Sequence, residues 1–461
     1  MNIDLASADG ARARLSAEWA NRDVSLYLSR CQIDTPRSLV EETWRRVHEL
    51  RQHVGTVVDF GAGDARFAFG GCYGSYVGYE IDQERLPDRP LPPGARVEHR
   101  CAFAADITNA DLSIGNPPFV RNQDLPETWR PQVTERLAAR SGVHLSGLAN
   151  AWQYFFLLSL TSTHDEGLCA LVVPYEWVSR PSVETLRAYI RAHGWNVDVH
   201  RLCDHSFETV LTTASITIVD KSRREGVWRF FDVDNNGVSR PIPSTSGSNA
   251  GHISYSRPRS ATSNLPRAVR GLSPGTQKVF VLTEGERARL GLKPGRDVVR
   301  CATTLRHLPA DCSDLDVPTF DRLYREAGAR CWLINSAAAA EPGPLRAYLD
   351  SVDARDYATS TCLERDTWWN YKMPPNPLAL VATCFKSDSP KAVLNSAAAV
   401  AVGGVAGIHG GDREWASGFL QHLASLNLRE RIVAHANKLM KIEIGQLNTL
   451  IAEHAKSIAH G

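Results

Sequence analysis

Between residues 56 and 221 the chain alternates short, continuous apolar runs with longer segments whose apolar positions recur three or four residues apart. TVVDF (56–60), YVGYEI (76–81), DLSIGN (111–116), GLCALVVP (167–174) and ASITIVDK (214–221) predict strands. ARFAFGGC (65–72), ANAWQYFFLLSLTSTH (149–164) and PSVETLRAYIRAHG (181–194) predict helices. Strands apolar on both faces and separated by helices imply an α/β architecture with a mostly parallel, doubly wound sheet. Ahead of this region, Thr35-Pro36 precedes SLVEETWRRVHELR, predicted as a helix with proline in its first turn.

The pattern breaks after about Arg224. Residues 237–252 and 256–275 are rich in Pro, Gly and Ser, which interrupt regular structure. Short strand-like pieces follow, such as VFVLT (279–283) and LALVATCF (378–385), and the chain from about Glu414 reads as helical. A domain boundary is expected near 222–245, dividing the chain into 1–230 and 231–461. Two domains also suit 461 residues, too many for one compact core.

Composition narrows the function classes. No apolar run approaches the ~18 residues of a membrane span, and the N-terminus lacks a basic segment followed by an apolar stretch. The ten cysteines are scattered singly with no CxxC pair, a pattern of reduced thiols rather than of a disulfide framework or zinc site. The cytoplasm is the expected compartment. The net charge of +1 hides an asymmetry: residues 251–300 hold ten Lys/Arg against three acids, so the rest of the chain is net acidic. Such a block is either a solvated face or a phosphate-contacting surface.

Candidate chemistry begins at Asp59-Phe60-Gly61-Ala62-Gly63, where small residues let a strand turn sharply and a ligand approach the backbone. The third glycine of a dinucleotide fingerprint would fall at Arg66, so that fingerprint is incomplete. Glu80, at the end of the next strand, is either an ordinary strand-end carboxylate or an acceptor for ribose hydroxyls. Asp106 falls where a third strand should end, and a carboxylate there could accept from an adenine amine. The most specific element is Asn116-Pro117-Pro118-Phe119. Two prolines stop the strand, fix φ and offer no N–H donors. An amide oxygen and a proline carbonyl can then accept both protons of an exocyclic amine, while Phe119 stacks on the ring that carries it.

In this order the elements resemble the N6-adenine DNA methyltransferases, in the gamma-class arrangement of restriction–modification systems. The resemblance is carried by Thr35-Pro36, the glycine loop, Glu80, Asp106 and the NPPF tetrapeptide, and covers residues 31–221. It implies a Rossmann-like S-adenosyl-L-methionine methyltransferase domain followed by a mixed α/β DNA target-recognition domain with a helical C-terminal segment. It further implies that Asp59, Gly61, Gly63, Thr35 and Pro36 hold the cofactor, with Glu80 on its ribose, Asp106 on its adenine amine and Ile107 as an apolar wall. Asn116, Pro117 and Phe119 would receive a flipped-out adenine, Asn116 also touching the cofactor, and Phe207 is the candidate second base-stacking aromatic. The implied partners are double-stranded DNA and a separate companion restriction endonuclease. No metal is called for. Trp368, Trp369, Asn370, Tyr371 and Lys372 could read a groove or simply pack a core. NPPF-type motifs also serve methyltransferases acting on RNA adenine and on protein glutamine, and a non-catalytic DNA-binding module on the same fold is a further alternative.

Overall fold

The computed structural model describes residues 34–125, 129–202, 213–234, 237–241, 265–428, 431–432, 434–436 and 439–460. The chain divides into two compact units, Met1–Gly251 with His435–Lys438, and His252–Ala434 with Leu439–Gly461. The described part of the first unit therefore reaches Pro241, past the expected 230. Two strands beyond residue 224 account for this, because both pair with its sheet.

That sheet has nine strands: β1 (Val54–Phe60), β2 (Tyr73–Glu80), β3 (Ala95–His99), β4 (Ala110–Gly115), β5 (Thr163–Pro174), β6 (Asn196–Leu202), β7 (Ala214–Asp220), β8 (Trp228–Val233) and β9 (Ser239–Pro241), in spatial order β3-β2-β1-β4-β5-β7-β6-β8-β9. The pairings from β3 through β5 are parallel, and β7 runs antiparallel between β5 and β6. The chain builds outward from β1 to β3, then returns to place β4 on the other side of β1. This reversal opens a crevice at the carboxyl ends of β1 and β4, where ligands of such sheets bind.

Helix α1 (Arg37–Leu50) packs Leu39, Val40, Trp44 and Val47 against Val57, Leu112, Ile114 and Ala170 of the sheet. Proline precedes this helix rather than entering its first turn: Pro36 caps it, its carbonyl accepting from the N–H groups of Leu39 and Val40. The other helices of this unit are α2 (Trp129–Ser141), α3 (Ala151–Ser162) and α4 (Glu184–Ala192). Helix α3 is apolar nearly all round and contacts β4 and β5, and none of its residues joins the α1 cluster. It therefore covers the opposite face of the sheet, as the doubly wound reading requires. Two local expectations fail. Residues 65–72 form only a 3-10 turn at Arg66–Ala68, because Ala65 and Gly70 adopt left-handed conformations that end any helix. The third strand is ARVEH, not a strand ending at Asp106.

The second unit is mixed α/β. An antiparallel sheet joins β10 (Arg267–Val269), β13 (Val405–His409), β11 (Ala379–Ala382) and β12 (Ala392–Leu394) in that spatial order. A second sheet holds strands of two to five residues between Val281 and Ala401. The C-terminal part carries helices Arg413–Ser425 and Ile444–His460, with a short strand at Leu439–Lys441 between them. The VFVLT segment is split between a helical turn, Gln277–Phe280, and a two-residue strand. The eight cysteines among the described residues are free thiols. Among the described residues no helix is long and apolar enough to cross a membrane.

Candidate active site

Four stretches meet at the crevice: the turn before α1, the loop after β1, the end of β2 and the segment after β4. Their residues Thr35, Asp59, Gly61, Gly63 and Glu80, with Asn116, Pro117 and Phe119, line one cleft. Eight of the residues singled out from the sequence are thus brought together.

The glycine loop is stitched to β2. Gly61 and Ala62 donate their N–H groups to the Tyr79 carbonyl at 2.8 and 3.0 Å, and Gly63 N donates to Glu80 Oε2 at 2.8 Å. Gly63 and Ala65 both have positive φ, and this backbone turns the chain back within five residues. Glu80 is buried and also accepts from the N–H groups of Ile81 and Asp82, each at 2.9 Å on Oε1. Burial pushes its carboxyl above the ordinary range, and the three backbone donors oppose that. A carboxylate offers about four acceptor sites, so about one remains for a ligand hydroxyl.

Asp59 is 1 % exposed and sits at the floor of the cleft. Its Oδ2 accepts from the Tyr76 hydroxyl at 2.7 Å, while Oδ1 is buried without a partner. Burial lifts this carboxyl from 3.8 to about 7, and the Tyr76 bond offsets only part of that. Gly115, the last residue of β4, makes room for it: a Cβ there would stand 2.4 Å from Asp59 Oδ1.

The NPPF segment is held from both sides. Asn116 Nδ2 donates to Thr35 Oγ1 at 3.1 Å. Downstream, the Val120 carbonyl accepts from Ala151 N at 2.9 Å, tying the segment to the start of α3. Pro117 is buried and Phe119 half-buried.

Pro36, Asp106 and Ile107 do not line the cleft. Asp106 instead pairs with Arg136 of α2 at 2.8 Å, and the Ile107 carbonyl accepts from Arg140 at 2.6 Å. The displacement follows from the third strand ending at His99; the turn after it brings Cys101, Ala102 and Phe103 to the cleft wall. Sequence reasoning missed these three, together with Asp34, Arg66, Arg85 and Phe155, which also line it. No spacing rule marks them, since each reaches the cleft only through the fold. Phe207 lies outside the described residues.

In the second unit, Trp369 is buried in the core, Trp368 stacks on Tyr357 at 3.9 Å, and the Tyr371 hydroxyl is tied to the Ile334 carbonyl. Packing accounts for these aromatics, while Asn370 and Lys372 are exposed. Part of the basic block is neutralised locally: Lys278 pairs with Asp356, Arg287 with Glu284 and Arg296 with Asp297. Arg289 and Lys293 are exposed, and Arg257 and Arg259 lie outside the described residues.

Fold and cleft together define a mixed α/β protein with a large, parallel-rich sheet and a ligand crevice at its topological switch point, a fold similar to that of restriction–modification methyltransferases. Residues 97–206 match the family described as Eco57I restriction-modification methylase. The chain is 26% identical over 204 residues to the Type II methyltransferase M.XamI of Xanthomonas campestris pv. amaranthicola, a match covering 40% of this chain and 38% of that relative. Among solved structures, the Type IIL restriction-modification enzyme MmeI in complex with DNA shares the fold over 92% of this chain and 66% of its own, at 10% identity and a TM-score of 0.54. A type I restriction-modification methyltransferase subunit from Streptococcus thermophilus is similar over 47% of this chain and 51% of its own, at 16% identity and a TM-score of 0.37.

Proposed function

We propose that this protein transfers a methyl group from S-adenosyl-L-methionine to the N6 amine of adenine in double-stranded DNA, as the modification enzyme of a restriction–modification system. The observation that carries the reading is Asn116, set beside two prolines and Phe119 at the cleft and held by Thr35 through its amide nitrogen. The cofactor fits the residues present. Glu80 keeps an acceptor site for a ribose hydroxyl, and Asp59 Oδ1 is a buried acceptor waiting for a donor such as an α-ammonium. When bound, this cofactor supplies a methyl already activated as a sulfonium.

The chain's own residues then need only bind, orient and polarise. The Asn116 oxygen and the Pro117 carbonyl accept the two N6 protons, which concentrates electron density on the amine nitrogen. Phe119 stacks on the base, and stacking of about 1–3 kcal/mol offsets part of the few kcal/mol needed to take an adenine out of a duplex. The second unit, with Arg289 and Lys293 exposed, would contact DNA phosphates, which position a duplex without specifying sequence. A companion endonuclease belongs to the same reading.

Radiolabelled S-adenosyl-L-methionine, offered with mixed-sequence duplex DNA, total RNA or protein extract, tests it. The expected result is label in DNA, recovered as N6-methyladenine and lost in Asn116→Ala while cofactor binding persists. Label in RNA or protein alone would transfer the reading to the alternative substrates. Unchanged methylation by Asn116→Ala would refute it.

A further inference from the structure

Two guanidinium groups on the cleft wall share one carboxylate. Asp34, just before α1, pairs through Oδ2 with Arg66 Nη2 at 2.8 Å and through Oδ1 with Arg85 Nη2. Arg66 also donates to the Thr35 carbonyl at 2.9 Å and pairs with Asp64 at 2.9 Å. Arg85 lies across the glycine loop, where a Cβ added to Gly63 would stand 3.3 Å from its Nη2. Their side chains are 31 and 25 % exposed, against 50 % for Asp34, which belongs to no regular element. The cations are thus the more enclosed part of the arrangement and the carboxylate the more exposed part. Arg66, Arg85 and Asp34 line the same cleft as Asp59, whose Oδ1 has no partner.

A pair of enclosed cations on the same cleft as a buried, unpartnered acceptor is complementary to an α-amino acid, which carries a carboxylate and an ammonium on one carbon. Guanidinium groups suit the carboxylate because their planar donors match its two oxygens. We propose that Arg66 and Arg85 form a clamp for the α-carboxylate of the cofactor's methionine end, and that Asp34 holds the clamp when no cofactor is bound. This rests on the cofactor reading given above. Asp34 is then an internal competitor: it keeps the two cations apart from bulk solvent and in place, and yields to a carboxylate that brings its own ammonium to Asp59.

The test is calorimetric binding to the full chain of two ligands that share the adenosine part. S-adenosylhomocysteine has the amino-acid end, and 5′-methylthioadenosine lacks it. Arg66→Met with Arg85→Met is expected to weaken S-adenosylhomocysteine roughly tenfold per guanidinium removed, the size of a charge-assisted hydrogen bond. Binding of 5′-methylthioadenosine should stay within about threefold, which also reports that the sheet has folded. Asp34→Asn, at an exposed position, should tighten S-adenosylhomocysteine several-fold and leave 5′-methylthioadenosine unchanged. Equal losses for both ligands, no loss for either, or weaker S-adenosylhomocysteine binding by Asp34→Asn would overturn the clamp. If the unmodified protein binds neither ligand, the cofactor reading itself fails.

Discussion

Replacing Asp59 by Asn should make the protein more stable and a poorer cofactor binder, with the stability gain set by pH. The carboxyl is fully enclosed, has one hydrogen bond, from Tyr76, and titrates at about 7 instead of 3.8. Raising a carboxyl from 3.8 to about 7 corresponds to about 4 kcal/mol. For an acid whose folded-state value is raised, the neutral form is the favoured one in the fold. Its contribution is therefore complete below about pH 4 and is lost as pH rises through about 7. At low pH, Asp and Asn both place an unpartnered donor where Oδ1 stands, so the two proteins should unfold alike. By about pH 8 the unmodified protein holds a buried charge that the amide lacks, and the variant should be more stable by up to about 4 kcal/mol. Urea unfolding of both proteins from about pH 4 to about pH 8 measures this, and S-adenosylhomocysteine titration of the variant should show about tenfold weaker binding. A stability difference that does not change with pH would refute the reasoning, because it would mean that Asp59 stays ionised throughout.

Three further outcomes are expected. His200 is buried against Phe231, and burial together with Arg46, Arg45 and Arg229 lowers its pKa to about 3. The unfolded chain therefore takes up a proton below about pH 6.5 that the folded chain refuses, so stability falls with acidity, and His200→Gln should flatten the stability curve between about pH 6 and pH 4. Lys221 is buried and donates to the Leu160 and Thr163 carbonyls at 3.1 and 2.7 Å, closing the end of α3. Lys221→Met should cost about 2–4 kcal/mol in calorimetry by leaving both acceptors dry. A Cβ on Gly71 would lie 2.4 Å from the Trp44 ring, which is buried with its N–H on the Phe67 carbonyl. Gly71→Ala should therefore cost about 1–3 kcal/mol by overpacking, and an unchanged unfolding midpoint would contradict that packing.

The interior strands β1, β4, β5 and β7 were legible because a strand covered on both faces must be apolar throughout. β3 was not, since it is an edge strand whose ARVEH residues are half exposed and show no apolar run. That single omission displaced Asp106 and hid the turn carrying Phe103. The glycine loop, Glu80 and the NPPF segment were legible because each needs special residues where strand becomes turn. Asp34, Arg66 and Arg85 were not, because charged residues on irregular segments carry no periodic signal, and only the folded chain brings them face to face. In the second unit, strands of two to five residues are too short to imprint a period.

Thr35 and Asn116 are 81 residues apart, yet the hydroxyl of one accepts from the amide of the other. Their meeting requires α1 to dock and β4 to pair with β1. A copy caught half-made, or loosened by damage, keeps its NPPF tetrapeptide but has an amide free to swing. On the function proposed above, competence to transfer would be an inspection mark stamped only on the finished sheet, a safeguard for an enzyme whose errors would be written into DNA.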